Sequence, residues 1–138
     1  MKLILVRGLP GSGKTTFVEG MFPDTLHLEA DMLCVSDGVY SFRADRASFR
    51  HEILRMMVNY ALGEGADVVV SNTLTTLAEL APYLTMAAMF GATVAVYRMQ
   101  GTYPTRHHVP EAVLQSMRNR WQDKEGEIIV PVDWRETW

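Results

Sequence analysis

The chain contains a glycine-rich segment whose residue types and spacing suit the binding of phosphate. Residues 8–15 read GLPGSGKT and match the pattern G-x-x-x-x-G-K-[ST] at every fixed position. Glycines let backbone N–H groups approach phosphate oxygens closely, and a helix that begins here adds the positive end of its dipole. Lys14 would reach the outer phosphates, and the Thr15 hydroxyl would bind Mg²⁺. The segment therefore predicts a loop that binds a nucleoside triphosphate.

A pair of carboxylates follows at the end of a predicted strand. Glu29 and Asp31 lie two residues apart in LHLEADML, so both would point to one face of an extended strand. Only the residue beyond the strand end reaches a cleft comfortably, so we assign to Asp31 the role of orienting an attacking hydroxyl and accepting its proton. A solvated carboxylate or a helix N-cap is the alternative for Asp31, and a surface charge is the expectation for Glu29.

A neutral end to another predicted strand limits the chemistry. VVVSNT ends in Ser71, Asn72 and Thr73, where an ordinary ATPase would have an aspartate. Asn72 can offer a carbonyl oxygen or an amide donor but no negative charge. Binding of Mg²⁺ would then depend on Thr15, Asp31 and the nucleotide itself, and this counts against a motor-type ATPase.

A cation near a transferred phosphoryl group would neutralise its developing charge. The segment GTYPTRHHVP has turn residues around Arg106 and no periodicity, as expected of a lid over about residues 99–110. Arg98, Arg118 and Arg120 are alternatives, and for each arginine a solvated side chain is the competing interpretation. The predicted catalytic residues are Lys14, Asp31 and Arg106. The predicted nucleotide-binding residues are Gly8, Pro10, Gly11, Ser12, Gly13, Lys14, Thr15, Thr16, Asn72, Arg98 and Arg118.

Apolar runs predict the strands that position these residues. KLILV leads directly into the glycine-rich loop, and the three valines of ADVVVSNT favour a central strand buried on both faces. A weaker alternation predicts a strand over residues 25–30, and ATVAVYR after Gly91 predicts another. Pro131 limits EIIVPVDW to an edge strand. Residues 36–43 carry a turn signal at Asp37-Gly38, which predicts a loop or a small hairpin.

Helical patterns lie between these strands. Helices are predicted after the glycine-rich loop, over residues 46–62 and 76–90, and from Pro110. In residues 46–62, the apolar side chains at helical spacing, which predict the packing face, are Phe49, Ile53, Met56, Met57 and Tyr60. The element order predicts an α/β fold whose mostly parallel sheet is covered by helices on both faces. Together with the glycine-rich motif at residues 8–15, this order implies a P-loop NTPase three-layer sandwich.

Composition limits the organisation and the partners. A chain of 138 residues with 48% hydrophobic and 21% charged residues predicts one domain over residues 1–138. The net charge of -3 argues against sequence-independent binding along a polynucleotide, although a small substrate or a nucleic-acid end fits. No apolar run approaches the roughly 20 residues of a membrane span. The single cysteine, Cys34, cannot form an internal disulfide, so we expect a cytoplasmic protein without membrane association.

Four segments together resemble the small P-loop kinases related to the kinase half of bacteriophage polynucleotide kinase. These segments are RGLPGSGKTT, EADM, VVVSNT and HHVPEAVLQSMRNRW, and the resemblance runs from Met1 to about Trp121. It implies that Asp31 is the general base that activates a nucleic-acid 5′-hydroxyl, and that the lid carries arginines that contact ATP. Two positions depart from the family: Cys34 stands where an arginine reads substrate phosphate, and Pro104 occupies the lid arginine slot, for which Arg106 would substitute.

The sequence thus predicts an ATP- and Mg²⁺-dependent kinase that uses Asp31 to activate an acceptor hydroxyl. A nucleic-acid 5′ end or a nucleotide is the favoured acceptor. A small-metabolite or nucleoside kinase is the first alternative. An ATP-binding regulatory module with little catalysis is the second, because the lid is altered and the third strand has no acidic end.

Overall fold

The computed structural model describes residues 1–36, 39–40, 47–104 and 109–138, with the backbone alone at 33–36, 39–40 and 47. The strands are β1 (Lys2–Arg7), β2 (Leu26–Leu28), β3 (Val35–Ser36), β4 (Val39–Tyr40), β5 (Val68–Asn72), β6 (Thr93–Arg98) and β7 (Ile128–Ile129). The helices are α1 (Lys14–Met21), α2 (Ala47–Gly63), α3 (Leu77–Phe90), α4 (Glu111–Arg120) and α5 (Trp134–Thr137), and a 3₁₀ helix spans Ala30–Cys34.

A five-stranded sheet with the order β2-β5-β1-β6-β7 forms the centre of the fold. All its neighbouring strands pair in parallel, as the apolar runs predict. Arg7 at the end of β1 pairs with Asn72 of β5 on one side and with Arg98 of β6 on the other. The carboxyl ends of the three central strands therefore lie at one level, immediately below the glycine-rich loop.

The two faces of the sheet bury separate sets of apolar side chains. Leu3 and Leu5 of β1 belong to a cluster that packs under α2 and α3, whereas Ile4 and Val6 pack against α1. This alternation is the period-two pattern of an extended strand covered on both sides. The predicted α/β fold with helices on both faces is confirmed.

The predicted packing face of α2 is wrong. Phe49, Met56, Met57 and Tyr60 are 61%, 66%, 40% and 72% exposed. The buried side chains of α2 include Leu54, Val58, Ala61 and Leu62. These four also follow helical spacing, so α2 carries two apolar stripes, and the stripe with compact Val58 and Ala61 packs on the sheet. None of the helices in the described residues has the length and apolar character to cross a membrane.

Two smaller predictions concern irregular segments. The hairpin suggested for residues 36–43 exists as an antiparallel pair of β3 and β4, and its Asp37-Gly38 turn lies outside the described residues. The C-terminal strand is confirmed as β7, which pairs with β6 at the sheet edge.

The helix α5 was not predicted. Its Trp134 ring packs 5.1 Å from that of Phe17, and a Cβ on Gly20 would lie 2.9 Å from the indole, so α1 accommodates α5 through a glycine.

A buried guanidinium joins distant segments at the end of β1. Arg7 is 0% exposed. Its Nε donates to the Leu74 carbonyl oxygen at 2.9 Å, and its Nη2 donates to that of Gln122 at 2.8 Å. Its Nη1 lies 3.3 Å from the Glu127 carboxylate, and its Cζ lies 4.1 Å from the centre of the Trp121 ring. Burial lowers the pKa of Arg7, and the Glu127 carboxylate partly opposes this effect.

We expect Arg7→Met to lower the free energy of unfolding by about 3–5 kcal/mol, because it leaves Glu127 as a buried carboxylate without its cation. The Glu127 side chain is only 5% exposed. Chemical denaturation would measure the change. The added change Glu127→Gln should recover part of the loss, whereas Lys2→Met, at the exposed start of β1, should change stability by at most about 0.5 kcal/mol. An Arg7→Met protein as stable as Lys2→Met would contradict the prediction.

Candidate active site

The glycine-rich loop joins β1 to α1 in the strand-to-helix context that the motif requires. Gly11 and Gly13 have φ values of 80° and 94°, a left-handed region in which residues with side chains are strained. Gly13 is the N-cap of α1, and the cap makes no side-chain hydrogen bond. The first N–H groups of a helix have no intrahelical acceptor. The loop therefore presents backbone donors and a helix N-terminus to an anion.

Lys14 is held inside this loop. Its Nζ donates to the carbonyl oxygens of Gly8 and Leu9 at 2.9 and 3.0 Å. Burial lowers the pKa of Lys14 to about 8, and the carboxylates of Asp31 and Glu29 partly oppose the shift. The ammonium group is thus partly buried and lies within electrostatic reach of two carboxylates.

Glu29 is anchored in the site, so its expected role as a surface charge is wrong. Its Oε2 accepts a hydrogen bond from Thr15 Oγ1 at 3.3 Å and one from Ser71 Oγ at 2.9 Å. His27 Nε2 lies 2.5 Å from the same Ser71 hydroxyl and 3.6 Å from Glu29 Oε2. Burial lowers the pKa of His27 despite the nearby carboxylates of Glu29 and Glu19. Burial thus disfavours the charged imidazole, which takes part in the site through its hydrogen bond with Ser71.

Asp31 lies in the 3₁₀ helix that follows β2, and its side chain is exposed. Asn72 fixes the start of this helix, because its Oδ1 accepts a hydrogen bond from the Ala30 N–H at 2.9 Å. The buried Nδ2 of Asn72 has no hydrogen-bond partner in the described part of the chain. Asn72 therefore positions the segment that carries Asp31, while its own amide nitrogen is left unpaired within the described residues.

A groove of about 390 Å³ opens on the other side of the glycine-rich loop. Its lining includes Ser12, Arg98, Arg118 and Trp121. Ser12 is 2% exposed, and among the described residues its hydroxyl has no hydrogen-bond partner. The groove thus combines a buried, unpartnered hydroxyl with two of the predicted nucleotide-binding arginines.

Both arginines are paired with carboxylates. Arg98 Nη1 donates to Asp123 Oδ1 at 2.6 Å, and its guanidinium lies 4.9 Å from the Trp121 ring centre. Arg118 Nη1 donates to Glu111 Oε1 at 2.9 Å on the surface of α4. These contacts hold the two guanidiniums at the groove wall.

The other predicted site residues fall into three groups. Pro10 is half-buried within the loop, and Thr16 is exposed on α1. Arg120 donates through Nε to Thr75 Oγ1 at 3.0 Å, so it bonds to the loop after β5. Arg106 lies outside the described residues, and so does the side chain of Cys34.

Among the predicted site residues, the structure brings Lys14, Thr15, Asp31 and Asn72 to one end of the sheet, with Arg98 and Arg118 beside them.

Glu29 is the residue that sequence reasoning missed at this site. Its place in the site follows from strand pairing and not from a local motif. β2 pairs in parallel with β5, and Leu28 lies opposite Val70. The next residues along the two strands, Glu29 and Ser71, therefore lie close together. Among the described residues, no three His, Cys, Asp or Glu side chains form a cluster able to hold a metal ion by themselves.

Solved structures with the same architecture include kinases. A gluconokinase from Sinorhizobium meliloti 1021 has a TM-score of 0.65 and 18% identity, covering 98% of this chain and 88% of that chain. Kti12 from Chaetomium thermophilum, in complex with ADP-AlF3, has a TM-score of 0.70 and 16% identity over 98% and 92%. A chain of the Pnkp1/Rnl/Hen1 complex has a TM-score of 0.58 and 17% identity over 83% of this chain and 38% of that chain. At these identities the likeness shows the fold.

A family model described as an AAA domain, AAA_33, matches residues 3–128. The match begins in β1 and ends at β7, so it contains the glycine-rich loop, the carboxylates after β2 and the groove. The chain therefore belongs to the AAA_33 family of AAA domains, and its fold is that of P-loop kinases.

Proposed function

We propose that this protein is an ATP- and Mg²⁺-dependent kinase that transfers the γ-phosphoryl group of ATP to an acceptor hydroxyl. The observation that supports this proposal is that two carboxylates of different character follow β2, whose end lies beside the phosphate loop. Glu29 is hydrogen-bonded to Thr15 inside the site, whereas Asp31 is exposed to an incoming molecule. An exposed carboxylate just past the end of β2 is placed to meet an acceptor hydroxyl, as a kinase requires.

The phosphate chain would bind along the glycine-rich loop. The backbone N–H groups of residues 11–15 and the Lys14 ammonium would contact phosphate oxygens. Asn72 Nδ2 and Ser12 Oγ, both buried and without a partner in the described residues, are available as further donors. The likeness to Kti12, whose structure contains ADP-AlF3, supports a nucleotide in this position.

The donor set beside Thr15 fits Mg²⁺. This cation prefers oxygen ligands and usually keeps several waters while it binds one or two carboxylates and the substrate phosphates. Thr15 Oγ1 and Glu29 Oε2 lie 3.3 Å apart, so one cation or its bound water can contact both. We therefore assign Glu29 to the metal alongside Thr15, in place of Asp31, which the sequence analysis gave that role. Asp31 is then the carboxylate nearer the acceptor. Bound Mg²⁺ would supply neutralisation of charge on the β- and γ-phosphates.

Asp31 would act on the acceptor. Its carboxylate would orient the acceptor hydroxyl and take its proton as the hydroxyl oxygen forms a bond to the γ-phosphorus. The bond between that phosphorus and the β–γ bridging oxygen breaks, and ADP leaves with the electron pair. We propose Arg106 as the lid cation that neutralises charge on the transferred group, within a single kinase-like domain over residues 1–138.

The acceptor we favour is a hydroxyl of a nucleic-acid 5′ end or a nucleotide. The resemblance of EADM to the polynucleotide kinases and the structural likeness to a chain of the Pnkp1/Rnl/Hen1 complex support it. A small-metabolite kinase is the second candidate, favoured by the likeness to a gluconokinase over 98% of this chain. The lone cysteine is consistent with a reducing, cytoplasmic setting for either activity.

We expect Asp31→Asn to slow phosphoryl transfer by about 10²- to 10⁴-fold, because the amide cannot accept the acceptor proton. ATP affinity should be retained. Transfer of labelled γ-phosphate to a panel of 5′-hydroxyl oligonucleotides, nucleosides and sugar acids would measure the rate, and calorimetry would measure the affinity. Lys14→Ala is the matched control and should lose both properties. Tight ATP binding without transfer to any class of acceptor would favour the regulatory module instead.

We expect Glu29→Gln to raise the Mg²⁺ concentration needed for half-maximal ATP binding by about tenfold or more. The neutral amide keeps the hydrogen bonds to Thr15 and Ser71 in part but loses the negative charge. Titrations of the protein with ATP, once in the presence of Mg²⁺ and once in the presence of EDTA, would separate an effect on metal binding from an effect on nucleotide binding. Glu19→Gln, an exposed carboxylate of α1, is the control. An equal loss of affinity under both conditions would exclude a role in metal binding.

We expect ATP affinity to fall as the pH rises through about 8, the lowered pKa of Lys14 in the free protein. A bound triphosphate favours the charged ammonium and raises its pKa, so above this pH binding must take up a proton. Below it Lys14 is already protonated, and its contribution to the affinity should be constant. Calorimetry in two buffers of different ionisation enthalpy would count the protons. Binding without proton uptake on the alkaline side would contradict the assignment of Lys14 to the phosphates.

A further inference from the structure

The ring of Tyr103 lies directly against the glycine-rich loop. The backbone N–H of Tyr103 donates to the Gly11 carbonyl oxygen at 2.7 Å. A Cβ added to Gly13 would lie 3.4 Å from Tyr103 Cε2, and a Cβ added to Gly101 would lie 2.5 Å from the same atom. The ring therefore occupies a slot between two residues that have no side chain, and it is nevertheless 54% exposed.

The segment after β6 is fixed to the phosphate loop around this slot. A Cβ on Gly101 would lie 2.6 Å from the Ser12 carbonyl oxygen, so any larger residue would push the two loops apart. Ser12, Gly101 and Thr102 also line the groove of about 390 Å³. Tyr103 thus lies next to both the phosphate loop and the groove, and its position is set before any ligand arrives.

The aromatic side chain that lines the groove itself, Trp121, is already covered. Trp121 has the Arg7 guanidinium 4.1 Å and the Arg98 guanidinium 4.9 Å from its ring centre. Cations over an aromatic ring take up the face that a planar ligand would use. The half-exposed Tyr103 ring is therefore the better platform for a base.

We propose that Tyr103 is the residue on which the base of the bound nucleoside triphosphate stacks. This assignment rests on the proposed function and deepens it. The carboxylates of Glu29 and Asp31 occupy the acceptor side of the phosphate loop, so the nucleoside must leave the loop on the side of the groove. A rigid ring there selects a nucleotide over inorganic polyphosphate, because little side-chain freedom is lost when the base stacks.

The test compares ATP with inorganic tripolyphosphate, which has the phosphate chain and no base. Calorimetry with Mg²⁺ should give about tenfold weaker ATP binding for Tyr103→Ala, within the range seen when a stacking aromatic is removed, and unchanged tripolyphosphate binding. Tyr103→Leu keeps apolar bulk against the two glycines and should lose the same preference, whereas Tyr103→Phe should retain it. Tyr60→Ala, an exposed tyrosine on α2, should bind both ligands as the unmodified protein does.

Two results would overturn the assignment. An equal loss of ATP and tripolyphosphate binding in Tyr103→Leu would mean that the ring only supports the phosphate loop. Unchanged binding of both ligands in Tyr103→Ala would mean that the base lies elsewhere. Failure of the unmodified protein to bind either ligand would refute the proposed function itself, and that result is distinguishable because it appears without any substitution.

Discussion

The buried guanidinium of Arg7 is the interaction on which the arrangement of the site depends. It ends the central strand and immediately precedes Gly8, so its position sets where the phosphate loop begins. Its bond to the Leu74 carbonyl oxygen holds a non-glycine residue with φ of 44°, a strained conformation that needs support from its surroundings. Its contacts with Gln122 and Glu127 attach the segment that follows α4. Arg7 thus joins the phosphate loop to the two segments that flank it.

The order of the strands explains why the two sides of the phosphate loop differ chemically. β5 and β2 lie on one side of β1, and β6 and β7 lie on the other. Strand order changes direction at β1, and ligands of open α/β sheets bind in the crevice at such a point. The β2 side contributes carboxylates to this crevice, and the β6 side contributes arginines and an aromatic ring. This asymmetry matches a reaction in which an acceptor and a nucleoside approach the phosphates from opposite sides.

The features that could be predicted from the sequence are those that depend on residues close together in the chain. The phosphate loop and the three-valine strand were predictable because each depends on neighbours in the sequence. Helix α2 was misread because both of its stripes have helical spacing, and only the shape of the sheet decides which one packs. Glu29 was misread because its partners Thr15 and Ser71 come from different elements. The role of Arg7 could not be read from KLILVR, because its partners lie 67 to 120 residues further along the chain.

The carboxylates that follow β2 change the interpretation of the neutral end of β5. Parallel neighbours end at the same edge of the sheet, so a carboxylate just past the end of β2 can serve the space in which an aspartate at the end of β5 would lie. Ser71 and Asn72 then act as supports: the first donates to Glu29, and the second accepts from the Ala30 N–H at the start of the helix that carries Asp31. The absence of an acid in VVVSNT is therefore a weak argument against the proposed kinase, because the negative charge that Mg²⁺ would require is available from the segment after the adjacent strand. Under the proposed function, the same displacement would leave Asp31, two residues further on, to face the acceptor, so one short segment would supply both the metal carboxylate and the general base.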